Sequence, residues 1–298
     1  MERKQPFWNR ADLFFLLVCS AFLYLHLFVF PATPIFYEED HLIYIQDAWR
    51  MYRGEALYRD FFEFTFPGTQ VLYLLLLDLF GTKYWIVNAV IFLQGIGQAI
   101  IWLAISKILF NVRWYSHLPV SFFLFFGFRW FGLDGSHRML SPIFVGLAIL
   151  VLLKVKGRKR AVFAGLFCAL SSYFTQQRGI LALAAISLFL LFECFKKKAG
   201  LKRLMIEEAV LVISFSISIL LLLLPFIISA GPDKFFQYTF GFIGYYVQDS
   251  TSNNYSAAIP AFETVLNQGI LMSVVMCFYY ALIPAVYLVS FVYFWRRE

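Results

Sequence analysis

Long apolar runs separated by short polar stretches make up nearly the whole chain. Several runs reach the roughly 20 residues that a helix needs to cross a bilayer. None shows the alternating segments of about ten residues that are typical of a transmembrane β-barrel. The pattern therefore predicts an all-α, polytopic transmembrane helix bundle that forms one integral membrane domain over residues 1–298. We expect about eight spans, at residues 12–30, 84–106, 117–129, 139–153, 161–175, 179–195, 208–230 and 269–295.

Basic residues indicate which ends of these spans face the cytoplasm. The clusters VKGRKR (155–160) and KKKAGLKR (196–203) stand between apolar runs, and lysine and arginine gather in cytoplasmic loops. Counting spans from these clusters places both termini in the cytoplasm and leaves two large outer loops, 31–83 and 231–267. The basic N-terminus leads into its apolar run without a small-residue cleavage site, which favours a retained first span over a signal peptide.

One apolar run, VLYLLLLDLF (71–80), does not fit this count as a span. It has about half the length that a crossing needs, and it contains Asp78. If it crossed, both basic clusters would lie outside the cell. We therefore expect an interfacial helix within the first outer loop. Only eight of the 25 lysines and arginines then lie outside the cytoplasm.

Composition narrows the class further. The chain is 61% hydrophobic and only 14% charged, against about 25% charged in an ordinary soluble domain. The net charge of +7 does not indicate a nucleic-acid partner, because the basic residues lie in short loops between apolar runs. All four cysteines lie inside apolar runs, so the sequence predicts neither a disulfide framework nor a zinc site.

The stretch 31–83 carries 8 of the 18 acidic residues. Glu39 and Asp40 stand just ahead of a segment, 40–53, whose apolar spacing predicts an amphipathic helix. Asp40 is explained either as the cap of this helix or as a carboxylate poised for general-base catalysis. Asp60 and Glu63 follow in YRDFFEF, where they are supporting site residues or a solvated loop face.

The order of features in this stretch resembles a known family. It runs from the acidic pair through a tyrosine four residues after Asp40, a glycine, Y-R-D-F-F, a proline, an apolar stretch and F-G. This resembles the first outer loop of the GT-C superfamily of membrane glycosyltransferases, which includes protein O-mannosyltransferases and the aminoarabinose transferase for lipid A. The likeness is most specific over 38–81 and is collinear through 179. It implies a sugar donor carried on polyprenyl phosphate, with Asp40 at the catalytic position. Many relatives have Asp-Glu where this chain has Asp40-His41, so Glu39 either shares or replaces the role of Asp40.

The segment LDGSHR (133–138) is the second polar site on the same predicted side. Asp134 and His137 are residue types that ligate metals, and Arg138 is suited to contact a phosphate. An ordinary polar turn explains the segment equally well. The need for a divalent metal therefore stays open. His41, beside the acidic pair, is a weaker candidate for a phosphate contact.

The third polar site is TQQRG (175–179), a tight outer turn between two apolar runs. A charge so close to hydrocarbon is costly unless it is paired or reaches the interface. Arg178, with Gln177 beside it, is therefore expected either to bind the donor phosphate or to reach the membrane surface.

These observations predict a glycosyltransferase of a bacterial inner or cell membrane. It would move a sugar from a polyprenyl-phosphate donor to an unidentified acceptor at the non-cytoplasmic face, with inversion at the anomeric carbon. A transporter or flippase of lipid-linked sugars is the alternative, and it predicts ionisable residues along a path through the spans. Membrane lipid is an expected partner, and nucleic acid is not.

Overall fold

The computed structural model describes residues 7–110, 114–125, 133–197, 200–242 and 244–245, and it is mostly helical. The described elements are, in chain order, α1 (Arg10–Leu27), β1 (Phe28–Val29), β2 (Thr33–Pro34), α2 (His41–Tyr52), α3 (Gly68–Phe80), α4 (Ile86–Leu109), a 3-10 turn (Trp114–His117), α5 (Leu118–Ser121), α6 (His137–Lys154), α7 (Lys159–Phe174), α8 (Gln176–Lys196), α9 (Leu201–Ala230), α10 (Pro232–Phe236) and a π-helical turn (Gln237–Gly241).

Contacts divide the chain into two compact units, Met1–Thr239 and Phe240–Glu298. Everything below concerns the first unit. The predicted span at 269–295 and most of the predicted loop 231–267 lie outside the described residues. The single membrane domain therefore stays a prediction.

Within the described part of the chain, the helices α1, α4, α6, α8 and α9 are long and apolar enough to cross a membrane. The most apolar stretch of α4 is 61% buried, whereas those of the other four are only 11–22% buried. Helix α4 is therefore central, and the others turn apolar side chains outward. Such large outward apolar surfaces are unusual for a soluble monomer. The prediction of an all-α membrane protein is confirmed at this level, and the number of eight spans stays a prediction.

Polar side chains of α4 hold the segments at one end of the bundle. Asn88 Nδ2 donates to the carbonyls of Leu27 and Ile35, at 2.7 and 2.8 Å. Gln94 Nε2 donates to the carbonyl of Asp134 at 2.7 Å. These amides are buried, where a lost hydrogen bond is costly. They therefore fix the end of α1 and the turn before α6 relative to α4.

Helix α7 packs closely because small residues face its neighbours. A Cβ at Gly165 would lie 2.5 Å from a backbone oxygen of α9, and one at Gly179 in α8 would lie 2.2 Å from a side-chain oxygen of α7. Small residues of this kind let apolar helices approach. At its start, α7 is also held by Arg160, which reaches Glu193 of α8 and Glu207 of α9, both at 2.6 Å.

A buried charge cluster joins α1 and α4 at the end of the bundle opposite Asn88. Lys107 donates a hydrogen bond to Asp12, and His117 Nε2 lies 3.0 Å from the second oxygen of the same carboxylate. Asp12 is fully buried and Lys107 is 1% exposed. Lys107 lies in the last turn of α4, which ends at Leu109, beyond the predicted end of the span at residue 106.

Between α1 and α4 lies a folded connection rather than an open loop. It begins with the antiparallel pair β1 and β2 and continues through α2 and α3. Helix α3 has 13 residues, which makes it about 20 Å long at 1.5 Å per residue. That is shorter than the roughly 30 Å hydrocarbon core of a bilayer. Its place relative to a membrane stays a prediction.

Candidate active site

The first turns of α2 and α6 meet through a charged pair. Arg138 Nη2 lies 3.0 Å from Asp40 Oδ2, and the two side chains are 61% and 37% exposed. Asp40 stands at the N-cap position of α2, but its side chain makes no capping hydrogen bond. Exposed pairs of this kind contribute only about 0–1 kcal/mol. A ligand that competes for Arg138 therefore meets little resistance from Asp40.

His41 and Asp134 form a second, buried pair next to the first. His41 Nδ1 lies 3.4 Å from Asp134 Oδ1, and both residues are under a tenth exposed. Burial opposes ionisation of Asp134, but hydrogen bonds from His41 and Ser136 outweigh that effect and hold the pKa of Asp134 below its ordinary value. Asp134 is therefore an anion that orients the imidazole of His41.

The turn that carries Asp134 is fixed from two helices. Gln94 of α4 donates to the Asp134 carbonyl, and the Tyr73 hydroxyl of α3 donates to the Gly135 carbonyl at 3.0 Å. A Cβ at Gly135 would lie 2.3 Å from that hydroxyl oxygen. A side chain at position 135 would therefore displace the Tyr73 hydroxyl and break its bond to the turn.

Arg178 lies beside Arg138 at the start of α8. Its Nη1 donates to the Arg138 carbonyl and to Ser141 Oγ, the latter at 3.2 Å. Both arginines line an apolar groove of about 750 Å³ between α4, α6 and α8. The groove is otherwise lined mostly by apolar side chains, among them Trp102, Phe123, Met139, Pro142, Val145 and Leu181. It thus combines a long apolar wall with two cationic groups.

A second cavity, of about 420 Å³, lies against α2. Its walls come from α2, the end of α3, the start of α4 and residues 35–37. Apolar side chains dominate its lining, and the polar groups in it include His41, Gln46, Lys83 and Asn88. The neighbouring residues Asp40 and His41 thus face two different spaces: Asp40 pairs with an arginine of the groove, and His41 lines the cavity.

Among the described residues, His137 and Asp134 share no hydrogen-bond partner. The imidazole of His137 packs edge-on against Tyr44, with 5.2 Å between ring centroids, and its carbonyl accepts a hydrogen bond from Thr175. Among the described residues, no group of three or more histidine, cysteine, aspartate or glutamate side chains is arranged to hold a metal ion.

The remaining predicted residues are less central, apart from Glu63. Glu39 and Gln177 are exposed. Asp60 pairs with its neighbour Arg59 at 2.8 Å and accepts a hydrogen bond from the backbone of Ala56. These contacts hold the pKa of Asp60 well below its ordinary value. Asp60 therefore stabilises its own turn.

Glu63 is buried, and it faces two residues that the sequence did not single out as site residues. Tyr44 and Asp47 lie one and two turns after Asp40 on α2, and both are under a tenth exposed. Asp47 shares the helical stripe of Asp40, and an acid within a mostly apolar stripe is a signal of burial. That signal could have identified Asp47.

Comparisons of the sequence with models of protein families, with curated proteins and with solved structures find no match. Function is therefore argued from the site itself.

Proposed function

We propose that the protein is a membrane glycosyltransferase of the GT-C type, which moves a sugar from a polyprenyl-phosphate donor to an acceptor hydroxyl. The carrying observation is the apolar groove lined by Arg138 and Arg178, together with the Asp40 carboxylate 3.0 Å from Arg138. A sugar linked to polyprenyl phosphate has the same two parts, a long apolar chain and an anionic phosphodiester head. The groove matches both parts.

The two arginines suit the phosphate. The bond from Arg178 to the Arg138 carbonyl brings two cations together, and the carboxylate of Asp40 pairs with only one of them. Guanidinium groups bind phosphate oxygens through two parallel hydrogen bonds. A phosphate at this place draws Arg138 away from Asp40 and leaves that carboxylate beside the anomeric carbon of the donor.

Asp40 then acts as the general base. The acceptor hydroxyl loses its proton to the carboxylate while its oxygen forms a bond to the anomeric carbon, and the bond from that carbon to the phosphate oxygen breaks. The phosphate leaves as an anion without needing an acid. One displacement inverts the anomeric centre, and no covalent enzyme intermediate forms. The cavity that His41 lines is the second space such a reaction needs, for the acceptor.

The membrane arrangement belongs to the same proposal. Eight spans, cytoplasmic termini and an outer first loop would place this chemistry at the non-cytoplasmic face of a bacterial inner membrane. Contacts between segments at one end support it: Asn88 reaches the end of α1, Thr175 bonds to His137, and Gln176 Nε2 donates to the Phe64 carbonyl at 2.7 Å. The proposed site residues thus gather at the bundle end away from the basic loop before α7.

The test is a transfer assay with purified protein in nanodiscs. A panel of polyprenyl-phosphate sugars is offered with candidate acceptors, with and without a chelator. Asp40→Asn should fold normally and lose about 10²–10⁴-fold in kcat, because a positioned base contributes that much. Asp78→Asn is the matched control, since Asp78 is an exposed acid near the end of α3, and it should retain full activity.

Other outcomes separate the alternatives. An Asp40→Asn protein with wild-type kcat would end the assignment of the base. Loss of activity in Glu39→Gln instead would move the role to Glu39. Translocation of lipid-linked sugar without transfer would replace this proposal with a flippase.

A further inference from the structure

A buried polar cluster lies behind Asp40, on the face of α2 that meets the 61–66 segment and α3. Its members are Tyr44, Asp47, Glu63, Thr65 and Gln70, each at most 8% exposed. Two of the five are carboxylic acids. Two carboxylates buried side by side repel strongly unless a proton or a cation lies between them.

Glu63 has the surroundings of an anion. Its Oε1 accepts from the backbone N–H groups of Phe64 and Thr65, at 2.7 and 2.8 Å, and from Thr65 Oγ1 at 3.0 Å. Its Oε2 accepts from Gln70 Nε2 at 3.1 Å. Four donors thus converge on this one carboxylate.

Asp47 has the opposite surroundings. Its Oδ2 is buried, and no donor among the described residues reaches that atom. Burial is the largest cause that raises the pKa of Asp47 to about 7, and the charge of Glu63 and a hydrogen bond with it add to the effect. Gln70 and Arg50 act in the other direction, but Arg50 is already engaged by Glu55 at 2.5 Å.

The other titratable groups nearby are tyrosines. Tyr44 lies on α2, Tyr58 on the connection before Glu63, and Tyr173 on α7. Burial raises the pKa of Tyr44 and of Tyr58 above the ordinary value. None of the three tyrosines supplies a positive charge to stabilise a second carboxylate, so a proton on Asp47 is the simplest way to relieve the repulsion.

We propose that Asp47 and Glu63 share one proton, carried by Asp47 and donated to Glu63, and that this acid pair positions Asp40 beside Arg138. The positioning role rests on the proposed function of Asp40. The shared proton does not.

The path from the pair to Asp40 runs through two hydroxyls. Thr65 Oγ1 donates to Glu63 Oε1 at 3.0 Å, and the Tyr44 side chain lies close to both residues. Tyr44 stands one helical turn after Asp40, and its ring packs against His137, the residue before Arg138. Separation of the pair would therefore loosen Tyr44, and with it the register between α2 and α6.

The sign of the pH dependence follows from the raised pKa. The ordinary value for Asp47 is 3.8, and the folded value is about 7. Protonated Asp47 contributes its full stabilisation of the folded state at pH values below its ordinary pKa, because the acid is then protonated in both the folded and the unfolded state. It is lost as the pH rises through about 7, because the folded state must then release a proton and hold two carboxylates together.

The experiment compares the wild type with Asp47→Asn in nanodiscs, and Asp78→Asn serves as the control. The asparagine amide donates to Glu63 without a titratable proton. Isotope-edited infrared spectra of aspartate-labelled protein should show a carboxylic-acid carbonyl band that disappears as the pH passes about 7. The band should be missing in Asp47→Asn and present in the control. The melting temperature of the wild type should fall between about pH 5 and about pH 9 more than that of Asp47→Asn.

The transfer assay tests the positioning role. In the wild type, kcat should fall above neutral pH with little change in KM, and Asp47→Asn should retain its kcat at about pH 9. Equal alkaline loss in both proteins would overturn the positioning role.

The infrared and melting measurements need no substrate, so they decide the shared proton even where no donor is turned over. Absence of the acid band at about pH 5 would overturn the shared proton. A melting temperature that depends on sodium or potassium in the wild type but not in Asp47→Asn would also overturn it, because a cation would then stand in place of the proton.

Discussion

Replacement of Lys107 by methionine tests the buried charge cluster at the far end of the bundle. The change keeps an unbranched side chain but leaves the fully buried carboxylate of Asp12 without its lysine. Removal of one partner from a buried pair costs about 3–5 kcal/mol. Asp12 would retain His117 Nε2 at 3.0 Å and the backbone N–H of Asn9 at 2.8 Å. We therefore expect the lower end, about 3 kcal/mol.

The measurement is the free energy of unfolding in mixed micelles, followed by tryptophan fluorescence. Lys154→Met is the matched control, because Lys154 is exposed and its ammonium lies over the ring face of Phe7, 3.6 Å from the centroid. That contact is of the exposed cation–π kind, so its loss should cost no more than about 1 kcal/mol.

A double-mutant cycle with Asp12→Asn isolates the pair. With both charges gone, the loss should be smaller than the sum of the two single losses, by about 1–3 kcal/mol. The reasoning would be refuted by a Lys107→Met protein within about 0.5 kcal/mol of the wild type, or by strictly additive losses.

Two further predictions concern packing and hydrogen bonding, and both are measured as thermal unfolding in detergent. Gly179→Ala should destabilise the protein by about 1–3 kcal/mol, because its Cβ would overlap α7. Gly200→Ala is the control and should differ little from the wild type, because a Cβ there meets nothing within 4 Å. Equal losses in the two variants would show that the overlap does not matter. Asn88→Ala should lower the free energy of unfolding by about 1–3 kcal/mol, because the carbonyls of Leu27 and Ile35 lose a buried donor. An unchanged melting temperature would show that these bonds do not fix the end of α1.

Local pattern was enough to predict the elements around the proposed site. The amphipathic helix predicted at 40–53 is α2, His41–Tyr52, because its apolar spacing has a single period. The predicted turn at 175–179 holds the boundary between α7 and α8, at Thr175. The apolar run 71–80 is helical, as expected, although the helix begins earlier, at Gly68.

The partners of charged residues were not readable in the same way. Asp40 and Arg138 are almost a hundred residues apart, and the pair exists only because α6 begins where α2 begins. Asp12 looks like an ordinary acid at the start of a span, and its lysine and histidine come from the end of α4 and the following turn. Charge pairing across the bundle depends on helix packing, and periodicity along one helix does not encode that packing.

Burial of acids was only partly readable. Asp47 stands in an apolar helical stripe that signals burial, but Asp60 and Glu63 look alike in the sequence. The structure leaves Asp60 exposed in its own turn and buries Asp47 and Glu63 against α3. Which acid is buried depends on the path of the connection after α2. Tyr58 shapes that path, since it takes a positive φ of 66° while its hydroxyl bonds to the Thr65 carbonyl.

The first turn of α8 contacts two regions that are distant in the sequence, the 61–66 segment and α6. Gln176 holds the Phe64 carbonyl, and two residues later Arg178 holds Ser141 of α6. A ligand that moves the backbone of this turn would therefore also strain the bond to Phe64. By thermodynamic reciprocity, a partner that binds and reshapes the 61–66 segment would change the affinity for that ligand. The factor would be the same as that by which the ligand changes the affinity for the partner. Such a ligand and such a partner would thus affect each other's binding without touching, through this single helical turn.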